Sequence, residues 1–193
     1  MNPALLVIDL QRWFLEVGTA EKLAGVPTLI ARCNELMDFF RGKRLPIVHV
    51  LTVHKADGST RDLWMKRHDR SAMVEGTTDA EEHPEVHTFD TDVVITKTRH
   101  SAFIRTELEC ILRKMHVDSV VLVGFSTNAC VGLTAIEAYE RDFDVILAQD
   151  AILGCDQCRG ESMLRVLHNE FAFDPLPSRK IMEEISAKAT TRA

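Results

Sequence analysis

Three side chains suited to nucleophilic catalysis close three separate apolar runs. Asp9 ends ALLVID, Lys97 ends DVVITK, and Cys130 follows SVVLVGF after the short polar turn STNA. A thiol that attacks a carbonyl needs a base to take its proton, a cation to hold the thiolate, and backbone N–H groups to receive the oxyanion. One carboxylate, one ammonium and one thiol at strand ends make up most of that set. Each has a plainer role when taken alone. A strand-end Asp caps a turn, a strand-end Lys is solvated, and a lone Cys at a helix start is a small packed apolar group. Cys130 stands where the next helix begins, so free helix N–H groups and the helix dipole are expected to lower its pKa, with help from Lys97.

The elements that would position these groups alternate between strand and helix. Strands are expected at Ala4 to Asp9, Pro46 to Val53, Asp92 to Thr96, Asp118 to Phe125 and Phe143 to Ala148. Between the first two, Leu29, Ile30, Cys33, Leu36, Met37 and Phe40 recur at helical spacing, with Pro27 suited to the first turn and Gly42 to the stop. Thr106 to Glu109 (TELE) is a capping-box sequence. Further helices are expected at about 130–139, from near Asp156, and from a Ser178 cap. Residues 54–90 are polar and lack a clear period, which suits a functional loop or lid. In it, Trp64, Met65, Lys66 and Arg67 would cover a substrate or form a solvated face anchored by the Trp. Continuous Val/Ile/Leu strands separated by amphipathic helices mean a parallel sheet covered on both faces. Ligands of such sheets bind beyond the carboxyl ends of the strands, where Asp9, Lys97 and Cys130 fall.

Bulk properties narrow the function further. The chain has 193 residues, the size of one ordinary domain, and a single domain over 1–193 is expected. Its formal charge of -6 disfavours nucleic acid. No apolar run approaches the roughly 20 residues of a membrane span, and MNPALLVIDLQRW has neither a basic leader nor a cleavage site. Five scattered cysteines suit a reducing compartment, so a cytoplasmic location is expected. The expected partners are a small-molecule substrate and further copies of the chain, as a dimer or tetramer.

Three segments carry a family resemblance. DLQRWF (Asp9 to Phe14), KTRHSAFIRTEL (Lys97 to Leu108) and GFSTNACVGLTAIEAYERDFDVILAQDA resemble, in order, the D-x-Q-x-x-F, K-x-x-x-S-A-F-x-x-T-x-L and G-x-x-T-x-x-C-V-x-x-T-A-x-x-A motifs of isochorismatase-like cysteine hydrolases. The resemblance covers about residues 4–170. It implies a three-layer α/β/α domain on a six-stranded, mostly parallel sheet of order 3-2-1-4-5-6. It also implies that Asp9 is the base, Lys97 its charge partner and Cys130 the nucleophile. The oxyanion would be held by the backbone of Ser126 and Cys130, with a cis bond between Phe125 and Ser126. The implied activity is hydrolysis of a C–N bond in a small amide, carbamoyl or ureido compound through a thioester. The alternatives are vinyl-ether hydrolysis, as in true isochorismatases, and a non-catalytic binding protein on the same fold.

Other signals carry less. Phe14, Phe103 and Phe125 adjoin the motifs and suit core packing as well as a pocket wall; with His54, Trp64 and Thr127 they make up the expected pocket. Cys155 and Cys158 form a C-x-x-C without a second pair, which argues against zinc. The nicotinamidase branch of the resembled family carries an Asp-x-His metal site after the second strand. Here that place reads Thr52-Val53-His54, and Pro84 spoils a helix that would pair His83 with His87. No metal and no other cofactor is therefore expected.

Overall fold

The Val-, Ile- and Leu-rich runs form one parallel sheet in the computed structural model, which describes residues 1–190. Its strands are β1 (Pro3–Ile8), β2 (Ile47–Thr52), β3 (Val93–Lys97), β4 (Ser119–Phe125) and β5 (Asp144–Leu153), in the order β3-β2-β1-β4-β5. Every residue of β1 and β4 is buried, because helices cover both faces of these central strands. The helices are α1 (Arg12–Glu16), α2 (Ala20–Gly42), α3 (Leu63–Arg67), α4 (Leu108–Lys114), α5 (Gly132–Tyr139), α6 (Gln157–Phe171) and α7 (Ser178–Thr190). Alternation along the strands divides the core in two. Leu6, Ile8, Val120 and Leu122 pack with Leu108, Leu112, Ala135 and Leu167 of α4, α5 and α6. Leu5, Val7, Val121 and Val123 pack with Leu29, Cys33, Phe40 and Ile181 of α2 and α7.

Three local expectations are corrected. The sheet has five strands among the described residues, not six. Where a sixth would run, Leu176 makes a single parallel bridge to Ala148, accepting from Gln149 N and donating to Leu147 O. Pro175 and Pro177 flank it and have no N–H to extend the ladder. Helix α2 begins at Ala20, with Thr19 Oγ1 accepting from Lys22 N, so Pro27 lies inside the helix and not in its first turn. The capping box at Thr106 is not made, because the N-cap of α4 is Glu107, which makes no side-chain cap hydrogen bond. Thr106 Oγ1 accepts from Leu108 N at 3.3 Å, while Glu109 pairs with Arg113 and Arg141.

Two backbone features shape the carboxyl edge of the sheet. Gly124 has φ +111°, and a Cβ there would stand 2.0 Å from Ile8 O. Only glycine lets the end of β4 pass this close to β1, which brings Phe125 and Ser126 beside Asp9. Segment 54–90 is held down by Gln11, whose Nε2 donates to Thr52 O (2.9 Å) and Ala80 O (2.7 Å) while its Oε1 accepts from Thr52 N (2.8 Å). A small satellite core of Met65, Ala72, Met73 and Ala80, packed against Phe14, fixes the segment over the strand ends.

Candidate active site

The parallel register sets Lys97 beside Thr52 across the β3–β2 pair. From there its side chain crosses the end of β2 to reach β1. Lys97 Nζ donates to Thr52 Oγ1 (2.6 Å), Asp9 Oδ2 (2.8 Å) and Cys130 Sγ (3.4 Å). Asp9 leaves β1 with φ 52°, a left-handed turn that Asp tolerates better than most residues. Its other oxygen, Oδ1, accepts from Thr52 N (3.0 Å) and Thr52 Oγ1 (2.9 Å). The side chains of Asp9 and Lys97 are both 0% exposed. Cys130 lies in a single wide π-type turn, Thr127–Val131, that leads into α5, and the Phe125–Ser126 peptide before it is cis.

The electrostatics of this buried trio differ from the expectation for Cys130. Burial pushes its thiol pKa up, Asp9 pushes it further, and Lys97 opposes them without prevailing. A helix start and one ammonium are outweighed when the sulfur leaves water and faces a carboxylate. With its pKa held up in this way, the thiol needs a base to take its proton for attack. Burial alone would lower Lys97, but Asp9 and Cys130 outweigh it, and the ammonium is held above its ordinary value.

Above the sulfur opens a cavity of about 590 Å³. Of the residues expected to line it, Phe14, His54, Trp64, Phe125, Ser126 and Cys130 do so. Phe14 and Phe125 meet as tilted rings, centroids 5.5 Å apart, to form one wall, and Trp64 stands 60% exposed at the mouth. Phe103 and Thr127 do not line it. Phe103 turns under the loop after β3 into the core, stacked on Phe143 at 6.1 Å. The wide turn aims Cys130 at the cavity but Thr127 at the cleft between β5 and α6. Lys66 and Arg67 are exposed outside the cavity, and the cations on its wall are Lys22, Arg70 and Arg99.

Three features of the cavity are not among those expected from the sequence. His100 Nδ1 lies 3.6 Å from Cys130 Sγ, and its place three residues after Lys97 was the available signal. Lys22 sits under Phe125, its Nζ 4.8 Å from the ring centroid, and no local pattern in the sequence announces it. Cys155 lines the cavity while Cys158 is exposed, and all five cysteines are free.

The residues do not fit the metal site of the nicotinamidase branch. Thr52 brings no carboxylate, and its Oγ1 is committed to Asp9 and Lys97. Burial is the main cause that lowers the His54 pKa. His83 and His87 face Glu16 and Asp38 singly, and no cluster of three metal-ligating side chains occurs among the described residues.

Residues 3–173 match the model of the Isochorismatase domain. The chain is 30% identical over 158 residues to a probable inactive nicotinamidase of Arabidopsis thaliana, spanning 78% of this chain and 80% of that protein. It is 30% identical over 156 residues to a maleamate amidohydrolase of Pseudomonas putida, spanning 78% and 72%. Among solved structures, a pyrazinamidase of Pyrococcus horikoshii in complex with zinc aligns at TM-score 0.80 and 27% identity, over 92% of this chain and 99% of that one.

Proposed function

This chain belongs to the isochorismatase family of hydrolases, and on that footing we propose that it cleaves a C–N bond of a small amide, carbamoyl or ureido compound by cysteine catalysis. The observation that carries the proposal is the reach of Lys97 Nζ to both Asp9 Oδ2 (2.8 Å) and Cys130 Sγ (3.4 Å) at the floor of the cavity. Asp9 takes the thiol proton and Lys97 holds the charge on sulfur. The thiolate adds to the carbonyl carbon, and the oxyanion is received by backbone N–H groups at Ser126 and Cys130. Asp9 then returns the proton to nitrogen, the amine or ammonia departs, and an acyl thioester remains for water to cleave.

A vinyl ether offers no acyl centre and would leave Cys130 idle. A binding protein would have no use for two charges at 0% exposure, since burying an ion pair costs desolvation that an apolar pair avoids. The same proposal includes work in the cytoplasm, supported by five free cysteines, and assembly as a dimer or tetramer. No helix among the described residues is long and apolar enough to cross a membrane.

The test is ammonia release from a panel of primary carboxamides, carbamoyl acids and ureido acids. At least one class should turn over, and turnover should survive exhaustive chelation without gain from added zinc or iron. Silence across the panel with release of pyruvate from a vinyl ether would favour the rival chemistry. Loss on chelation with rescue by zinc would reinstate His54 as a ligand.

A further inference from the structure

We propose that His100 is the general base of the second half-reaction, activating the water that cleaves the acyl thioester on Cys130; the inference rests on the thioester reading above. The geometry separates two sides of the sulfur. Below it, Asp9 is 0% exposed and accepts three hydrogen bonds from Thr52 and Lys97. That carboxylate can exchange a proton with the thiol it touches. Once an acyl group sits on Cys130, a water arriving from the cavity has the thioester between itself and Asp9. Above the sulfur, His100 lines the cavity, is exposed to solvent, and brings Nδ1 to 3.6 Å from Sγ.

The other cavity groups that could act as bases lie away from the sulfur. His54 turns Nδ1 to Thr60 O and Asp62 caps α3 by accepting from Met65 N at 2.7 Å, whereas His100 is the cavity histidine that contacts Cys130 Sγ among the described residues. His100 is thus the imidazole within reach of both the sulfur and cavity water.

His100 Nδ1 takes a proton from water, and the oxygen adds to the thioester carbonyl carbon. The tetrahedral adduct collapses, the C–S bond breaks, and its electron pair returns to sulfur beside the Lys97 ammonium. The acid product leaves, and the imidazolium returns its proton across the Nδ1–Sγ contact, restoring the neutral thiol. Two bases on opposite sides of one sulfur divide the cycle between acylation and deacylation.

Stopped-flow reaction with p-nitrophenyl acetate separates the halves without needing the natural substrate, since nitrophenolate appears on acylation and steady turnover reports deacylation. Wild type should give a stoichiometric burst followed by turnover. His100→Ala and His100→Gln should keep the burst and lose steady turnover by about 100-fold or more, as expected for a missing general base. Acetyl should then accumulate on Cys130, and added imidazole should restore turnover in His100→Ala. A purely structural role would not be rescued this way. A burst with unaltered turnover in both variants, or equal loss of both phases without imidazole rescue, overturns the role of His100 and leaves the thioester reading intact. Absence of any burst or Cys130 acetylation in wild type overturns the thioester reading and this inference with it.

Discussion

Replacing Cys130 by Ala is expected to lower turnover by at least about 10⁴-fold while shifting the melting temperature only slightly. The sulfur is the atom on which Lys97, Asp9 and His100 converge, and groups that act as a unit lose nearly everything when the nucleophile goes. What survives is the contribution of the oxyanion donors and of binding alone. The stability cost is small for a separate reason. Cys130 is 6% exposed, so its removal deletes one small packed group. That costs about 1 kcal/mol, or about 2–4 °C for a chain of this size. Cys130→Ser should fare little better in turnover, because a hydroxyl is a far weaker nucleophile at the same place. Near-normal turnover of Cys130→Ala on the natural substrate would end the cysteine mechanism and favour acid catalysis by Asp9.

Lys97→Met should abolish turnover and also destabilise the fold by about 3–5 kcal/mol, the usual cost of stranding one member of a buried pair. Asp9 has no water to turn to. It is 0% exposed, and without Lys97 its remaining donors are Thr52 and the Cys130 thiol, neither of them charged. The double variant Asp9→Asn, Lys97→Met should recover part of the lost stability, because the stranded charge is gone, yet recover no activity. Denaturant midpoints of the two singles and the double measure the coupling. The pH dependence has a definite sign. Lys97 is held above its ordinary value, Asp9 and Cys130 outweighing burial, so its contribution is complete below the unfolded value of about 10.4. It fades as pH rises through the folded value. The gap between wild type and Lys97→Met should therefore stay constant across neutral pH and narrow only in strong alkali. Equal midpoints at pH 7 would show that the pair does not support the fold.

Much of this site was legible from local pattern, for identifiable reasons. Asp9, Lys97 and Cys130 stood out because each closes an apolar run, and a parallel sheet gathers such ends on one edge. Their contacts were not legible, since they depend on register. Thr52 appeared in the sequence only as an absent metal ligand. In the structure it pairs with Lys97 across the sheet and donates twice to Asp9. Burial was also out of reach, and the expected low pKa of Cys130 failed on that account. Phe103 and Thr127 were assigned to the pocket by proximity in sequence to Lys97 and Cys130. A loop and a wide turn send them to other sides. The sixth strand was expected from family resemblance, whereas Pro175 and Pro177 were visible in the sequence and restrict it to a bridge at Leu176. His100, one histidine among eight, had its place three residues after Lys97 as a sequence signal, but its contact with the sulfur is visible only in three dimensions.

The central claim is that an acyl group passes through Cys130, and rapid-quench mass spectrometry during turnover of an amide found by ammonia release tests it most directly. The account predicts a transient adduct of the substrate acyl mass on the peptide containing Cys130, absent from Cys130→Ala and accumulating in His100→Gln. Full turnover with no adduct on Cys130 at any quench time, or an adduct confined to Cys155 or Cys158, would contradict it.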